Sequence, residues 1–179
     1  MVSPRVRLFQ LLSFLYLLNV SVSKVELTNI KCTSLDKDFA DFEYCFLKSV
    51  NRSYKYFSLK TNLFKIPITK VTVNFEMLQR FNGYKPWLYN VTVDACRFLK
   101  NPKSNPFVDF IYGFFINYSN INHTCPFDHD LIVDKVPISF MDYRLTHVLP
   151  VPTGNYLVKS NWMAYGINRA KMNLYFTLS

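Results

Sequence analysis

Asn82-Gly83-Tyr84-Lys85-Pro86-Trp87-Leu88-Tyr89-Asn90-Val91-Thr92-Val93-Asp94-Ala95-Cys96 holds a turn, a strand, a glycosylation acceptor and a cysteine in fifteen residues. Asn82-Gly83 supplies the positive φ angles of a hairpin turn, and Pro86 fixes the chain just before a run of strand-forming residues. A strand is expected from Trp87 onward. Side chains alternate along a strand, so Trp87, Tyr89, Val91 and Val93 share an almost wholly apolar face. Leu88, Asn90, Thr92 and Asp94 share a largely polar one. Asn90-Val91-Thr92 is an N-glycosylation acceptor, and Asn90 falls on the polar face, where a sugar is tolerated.

Upstream, Val71, Val73, Phe75 and Met77 alternate with Thr72, Asn74 and Glu76 and run into the turn. Segments 71–80 and 87–96 are therefore expected to pair antiparallel, their apolar faces forming one wall of a core. Residues 25–31 alternate into Cys32, a polar turn follows at 35–38, and 42–50 resume the pattern as the return of a first hairpin. Segment 54–63 sets Lys55, Phe57, Leu59 and Thr61 against Tyr54, Tyr56, Ser58 and Lys60. After Cys125, residues 131–136 and 138–148 look strand-like. Thr153-Gly154-Asn155 makes a turn, and 156–165 with 170–178 form a last hairpin that has Met172, Leu174, Phe176 and Leu178 on one face.

One helix interrupts this pattern. Asn105 is a capping residue and Pro106 suits the first helical position. Phe107, Phe110, Ile111, Phe114, Phe115 and Tyr118 then recur at three- and four-residue spacing, with Gly113 a weak point in the run. Seven to nine short strands with one α-helix inserted between Cys96 and Cys125 describe an all-β fold, an immunoglobulin-like β-sandwich.

At the N-terminus Arg5 and Arg7 precede an apolar run at 8–18, and Ser21-Val22-Ser23 places small residues where a signal peptidase cuts. Residues 1–23 read as a secretory signal peptide, since that run is too short for the roughly 20 residues of a membrane span. Residues 24–179 read as a single secreted, extracellular domain with no stable membrane insertion. The four cysteines, Cys32, Cys45, Cys96 and Cys125, are an even set in an oxidising compartment. Three pairings are open. A hairpin about the turn at 35–38 would bring Cys32 opposite Cys45, and elimination then pairs Cys96 with Cys125. Asn51, Asn117 and Asn122 head three further glycosylation sequons, which mark their loops as exposed.

Net charge is +9, and +7 without Arg5 and Arg7. The basic residues are dispersed, with no run and no nucleic-acid motif, so nucleic acid is not an expected partner. The charge favours anionic lipid head groups or glycans only in a general way. Aromatics make up 17 % of the chain, enough to pack a β core or to line a cavity. His123, Cys125 and His129 with Asp128 and Asp130 match no closed zinc pattern. Ser119, His123 and Asp128 lack the Gly-x-Ser-x-Gly elbow of a hydrolase. No catalytic residue, metal or cofactor is expected.

Three ordered motifs carry a resemblance. The opening stretch 82–96, the segment Ser119-Asn120-Ile121-Asn122-His123-Thr124-Cys125-Pro126-Phe127-Asp128-His129-Asp130 and the segment Leu149-Pro150-Val151-Pro152-Thr153-Gly154-Asn155-Tyr156 resemble the hallmarks of a large insect family of secreted proteins of unknown function, the DUF1091 type. That family is placed near the ML lipid-recognition proteins, secreted β-sandwiches that hold a sterol, fatty acid or glycolipid between two sheets. Some relatives are linked to contact chemosensation of lipid-like pheromones. The resemblance implies a sandwich of ML type over 24–179 and a lipid or other small apolar ligand. The helical insert departs from the better-known ML carriers, so their pocket residues do not transfer. In this chain Val73, Phe75, Trp87, Tyr89, Val91, Phe110, Phe114 and Trp162 are the expected lining, and a cell-surface receptor is a further expected partner. The alternative is an extracellular protein-interaction module with a solid core, which an intersheet void below roughly 300 Å³ would favour.

Overall fold

The computed structural model describes residues 24–51, 54–147 and 151–179. The leader expected at 1–23, the last two residues of the Asn51 sequon and residues 148–150 lie outside them. Among the described residues, β1 (Val25–Ser34), β8 (Ile167–Leu178), β7 (Gly154–Ala164), β4 (Val71–Phe81) and β5 (Gly83–Asp94) form one antiparallel sheet in that order. β2 (Ala40–Ser49), β3 (Lys55–Leu63) and β6 (Leu131–Pro137) form the other. Alternation in the sequence thus becomes the expected all-β sandwich.

β4 and β5 pair as expected, with Val73 opposite Val93 and Phe75 opposite Val91. Two details differ. β5 begins at Gly83 rather than Trp87, because Pro86 lies on an edge strand, where its missing N–H breaks no ladder. Register also shifts between Glu76 and Leu78, so Trp87, Leu88 and Tyr89 all stand against Met77, with Leu88 at φ 51° and 70 % exposed. This bulge keeps Trp87 and Tyr89 on the half-buried side.

The first hairpin needs correction. β1 pairs with β8 and β2 with β3, so the turn after β1 carries the chain from one sheet to the other. Cys32 and Cys45 are bonded, but across the sandwich, with Cα atoms 6.1 Å apart. A short polar turn is common to a hairpin and to a sheet-to-sheet corner. The second disulfide joins Cys96 to Cys125.

Between them lie α1 (Ala95–Lys100) and α2 (Pro106–Tyr112). Asp94 and Asn105 cap them, accepting from the backbone N–H of Arg97 at 2.9 Å and Val108 at 3.2 Å. α2 stops at Tyr112, shorter than the apolar stripe, which continues into a 3₁₀ turn at Ile116–Tyr118. Segment 138–148, strand-like by sequence, is instead α3 (Ile138–His147) as far as His147. Ile138, Met141 and Leu145 are its buried side chains, a three- and four-residue spacing masked by half-buried Phe140 and exposed Tyr143. Asp142 of α3 accepts from the Val25 N–H at 2.6 Å, docking the helix on β1.

The main core gathers Leu27, Phe57, Phe114, Val136, Tyr156 and Phe176 among others. A smaller cluster of Phe39, Ala40, Ile68, Phe127 and Ala164 closes the end of the sandwich where the disulfide-bound insert returns.

Candidate ligand cavity

A cavity of about 190 Å³ lies between the sheets. β3 contributes Phe57, Leu59 and Thr61, the inward series of its alternation. The opposite sheet contributes Val73, Phe75, Val93, Trp162 and Met172. The insert closes one side with Phe98, Val108, Tyr112 and Phe115, because the Cys96–Cys125 bond holds α1 and α2 against the sandwich.

Three of the eight residues expected as lining are there: Val73, Phe75 and Trp162. The other five lie outside it. Trp87 packs edge-on against the fully buried Tyr156 at 5.4 Å. Tyr89 stacks on Phe107 at 4.1 Å with 18° between the rings. Val91 is half-buried opposite Phe75. Phe110 and Phe114 contact each other at 4.9 Å, and the Arg144 guanidinium sits over both rings. The cavity follows the Cys96 end of β5, while α2 covers the Trp87 end. Of the sequence's inward β5 series, Val93 alone reaches it.

Polar residues on the walls are Thr61, Tyr112, Ser160 and Arg169. Tyr112 donates its phenol to the Ile121 carbonyl at 2.8 Å. Burial, and secondarily the Asp109 carboxylate, raises that phenol above its ordinary range, so it stays neutral. Ser160 Oγ accepts from Trp162 Nε1 at 2.8 Å. Arg169 is paired with Asp36, and its guanidinium lies 4.2 Å from the Phe39 ring centroid. Thr61 is 1 % exposed, and its Oγ1, like the Arg169 Nε, is buried with no hydrogen-bond partner among the described residues. A lone hydroxyl in an apolar wall was not singled out by sequence, since Thr61 there reads as one more strand residue.

His123 and His129 meet Nε2 to Nε2 at 2.8 Å, and His123 Nδ1 lies 2.7 Å from the Thr124 carbonyl. Both nitrogens of His123 are thereby engaged with groups other than Ser119 and Asp128. No group of three metal-ligating side chains occurs among the described residues. Asn51, Asn90, Asn117 and Asn122 are all exposed. Asn90 accepts from Asn74 Nδ2 at 2.8 Å on the outer face of the larger sheet.

Fold and cavity together define a disulfide-pinned antiparallel β-sandwich with an apolar intersheet cavity. Residues 73–158 match the family model described as protein of unknown function, DUF1091. The matched span runs from β4 through the insert into β7 and so includes both helices that cover the cavity. No curated protein matches the chain.

Proposed function

We propose that this is a secreted, glycosylated, non-catalytic binding protein that holds a small apolar ligand between its two sheets. The observation that carries the reading is the 190 Å³ of apolar-walled space between the sheets. A core without a binding role is packed close to crystal density, with few voids larger than a water molecule. An apolar cavity of about 150 Å³ holds benzene, so the space suits a ring or a short acyl chain. A sterol or long acyl chain, of the kind that ML carriers hold, requires the walls to move apart. Two disulfides support an oxidising compartment, and among the described residues no helix is long and apolar enough to cross a membrane.

A second reading has one observation in its favour. The cavity falls below the roughly 300 Å³ usual for ligand pockets, as expected of an interaction module that works through its loops. The test is mass spectrometry of solvent extracts from natively secreted protein, with saturable uptake of the apolar dye N-phenyl-1-naphthylamine by delipidated protein. A stoichiometric co-purifying molecule and saturable dye uptake are expected. Neither, in properly folded protein, leaves the interaction module as the better account.

A further inference from the structure

Three connections meet at the end of the sandwich closed by the smaller core cluster: residues 35–39, 64–70 and 165–166. They are bonded into one rim. The Leu35 N–H donates to the Arg169 carbonyl at 2.8 Å, Phe64 N–H to Phe39 O at 2.9 Å, and Tyr165 N–H to Lys70 O at 3.2 Å. Thr69 N–H donates to the Tyr165 hydroxyl oxygen at 3.1 Å.

Each connection turns some apolar side chains inward and others out. Phe39, Ile68 and Ala164 go inward and line the cavity. Leu35, Phe64, Ile66, Tyr165 and Ile167 go outward and are 47 to 54 % exposed. Single exposed hydrophobics need no explanation, but four on three bonded connections, with Ile167 beside them at the start of β8, form a patch, and such patches mark interaction sites. The inward set already closes the core, so the outward set is not needed for it.

Charge on the rim is also sorted. Asp36 is paired with Arg169, and Asp41 with Lys37 at 3.8 Å. Lys65, flanked in sequence by Phe64 and Ile66, and Lys70 are exposed beside them, with Asp38 the remaining acid of these connections. A lysine can lay its alkyl stem along apolar neighbours and carry its ammonium outward. Protein–protein interface cores are depleted in lysine. A bilayer surface takes both components at once, apolar tips below the head groups and ammonium groups at the phosphates.

We propose that this rim is a peripheral docking surface for anionic lipid bilayers. The inference goes beyond the cavity reading and does not depend on it, since it concerns the outer faces of the loops whose inner faces line the cavity. An anionic surface strengthens binding on the order of fivefold per lysine, so Lys65 and Lys70 together supply about 25-fold.

The experiment is flotation of the natively secreted full chain with phosphatidylcholine vesicles, with and without phosphatidylserine at about 30 mol %. Expected is co-flotation with the anionic vesicles that weakens as salt is raised. Lys65→Gln with Lys70→Gln should lower the affinity about 25-fold, and Phe64→Ser with Ile66→Ser at least as far. Phe81→Ser with Leu88→Ser, still more exposed positions at the other end of β4 and on β5, should leave it unchanged. No vesicle binding, or equal binding by rim and control variants with native circular dichroism, overturns the proposal. So does a dimer in light scattering that the Phe64 and Ile66 changes abolish, which would assign the rim to a second copy of the chain.

Discussion

Tyr89 of β5 and Phe107 of α2 stack at 4.1 Å, so the helical insert covers this part of the sheet, and neither ring lines the cavity. Alanine at either position should cost stability, and their double-mutant cycle should give a coupling of about 0.5–1.5 kcal/mol. Urea unfolding of the four proteins measures it. A coupling near zero would mean that α2 is positioned by its other contacts, among them the Tyr112 bond to the Ile121 carbonyl, and by the disulfide.

Thr61→Val replaces the partnerless hydroxyl with a methyl group of similar size. Burying an unsatisfied hydroxyl costs about 1–3 kcal/mol, so the variant without ligand should be more stable by an amount in that range. An unchanged unfolding midpoint in urea would show that the hydroxyl is satisfied in solution.

Val73→Phe adds a ring to a wall of the cavity. Dye uptake should be lost, with stability held or raised by up to about 1–2 kcal/mol as the void is filled. Val91→Phe, two register pairs along from the Val73–Val93 pair and outside the lining, should retain uptake. If both variants take up dye equally, the ligand sits elsewhere.

Removing the Cys96–Cys125 bond, which closes a separation of 29 residues, should cost about 3.5 kcal/mol by chain entropy. The Cys32–Cys45 bond, at a separation of 13, should cost about 3 kcal/mol. The two variants should differ in kind more than in amount. Loss of Cys96–Cys125 releases the insert and with it the cavity wall, so dye uptake should disappear before the sheets unfold in a denaturant titration. Coincident transitions would show that insert and sandwich unfold as one unit.

Burial raises the phenol pKa of Tyr156, and burial together with Asp109 raises that of Tyr112. The fold therefore holds both protons more tightly than the unfolded chain does. That contribution is whole below the unfolded-chain value of about 10 and is lost as pH rises through the folded-state values. The urea midpoint should fall steeply above pH about 10, and Tyr112→Phe with Tyr156→Phe should remove most of that slope. A slope unchanged in the double variant would assign alkaline unfolding to other groups.

Local patterns were legible where one residue's neighbours in sequence are also its neighbours in space. The alternation through Trp87, Tyr89, Val91 and Val93, the Asn105-Pro106 helix start and the turn at Gly83 all depend on backbone geometry over a few residues, and all appear in the fold. Helix α3 was missed because Phe140 and Tyr143 overlay a period of two on the buried series Ile138, Met141 and Leu145. Only packing against β1 reveals which set is inside.

By itself the sequence determined most of the strands and their apolar faces; the expected disulfides do form, but Cys32–Cys45 was reached through a hairpin that the fold does not contain. It did not determine which sheet each strand joins. The chain at 35–39 can fold back or cross over with the same residues, and the choice rests on β1 finding β8 at the far end of the chain. The cavity was likewise a tertiary decision. Val73, Phe75 and Trp162 line it and Trp87 and Tyr89 do not, although all five alternate onto apolar faces. Pattern places a side chain inside, but whether it meets another side chain or empty space depends on what the opposite layer brings, and here α2 brings Phe107 onto Tyr89 while Val73 and Phe75 are left beside the cavity.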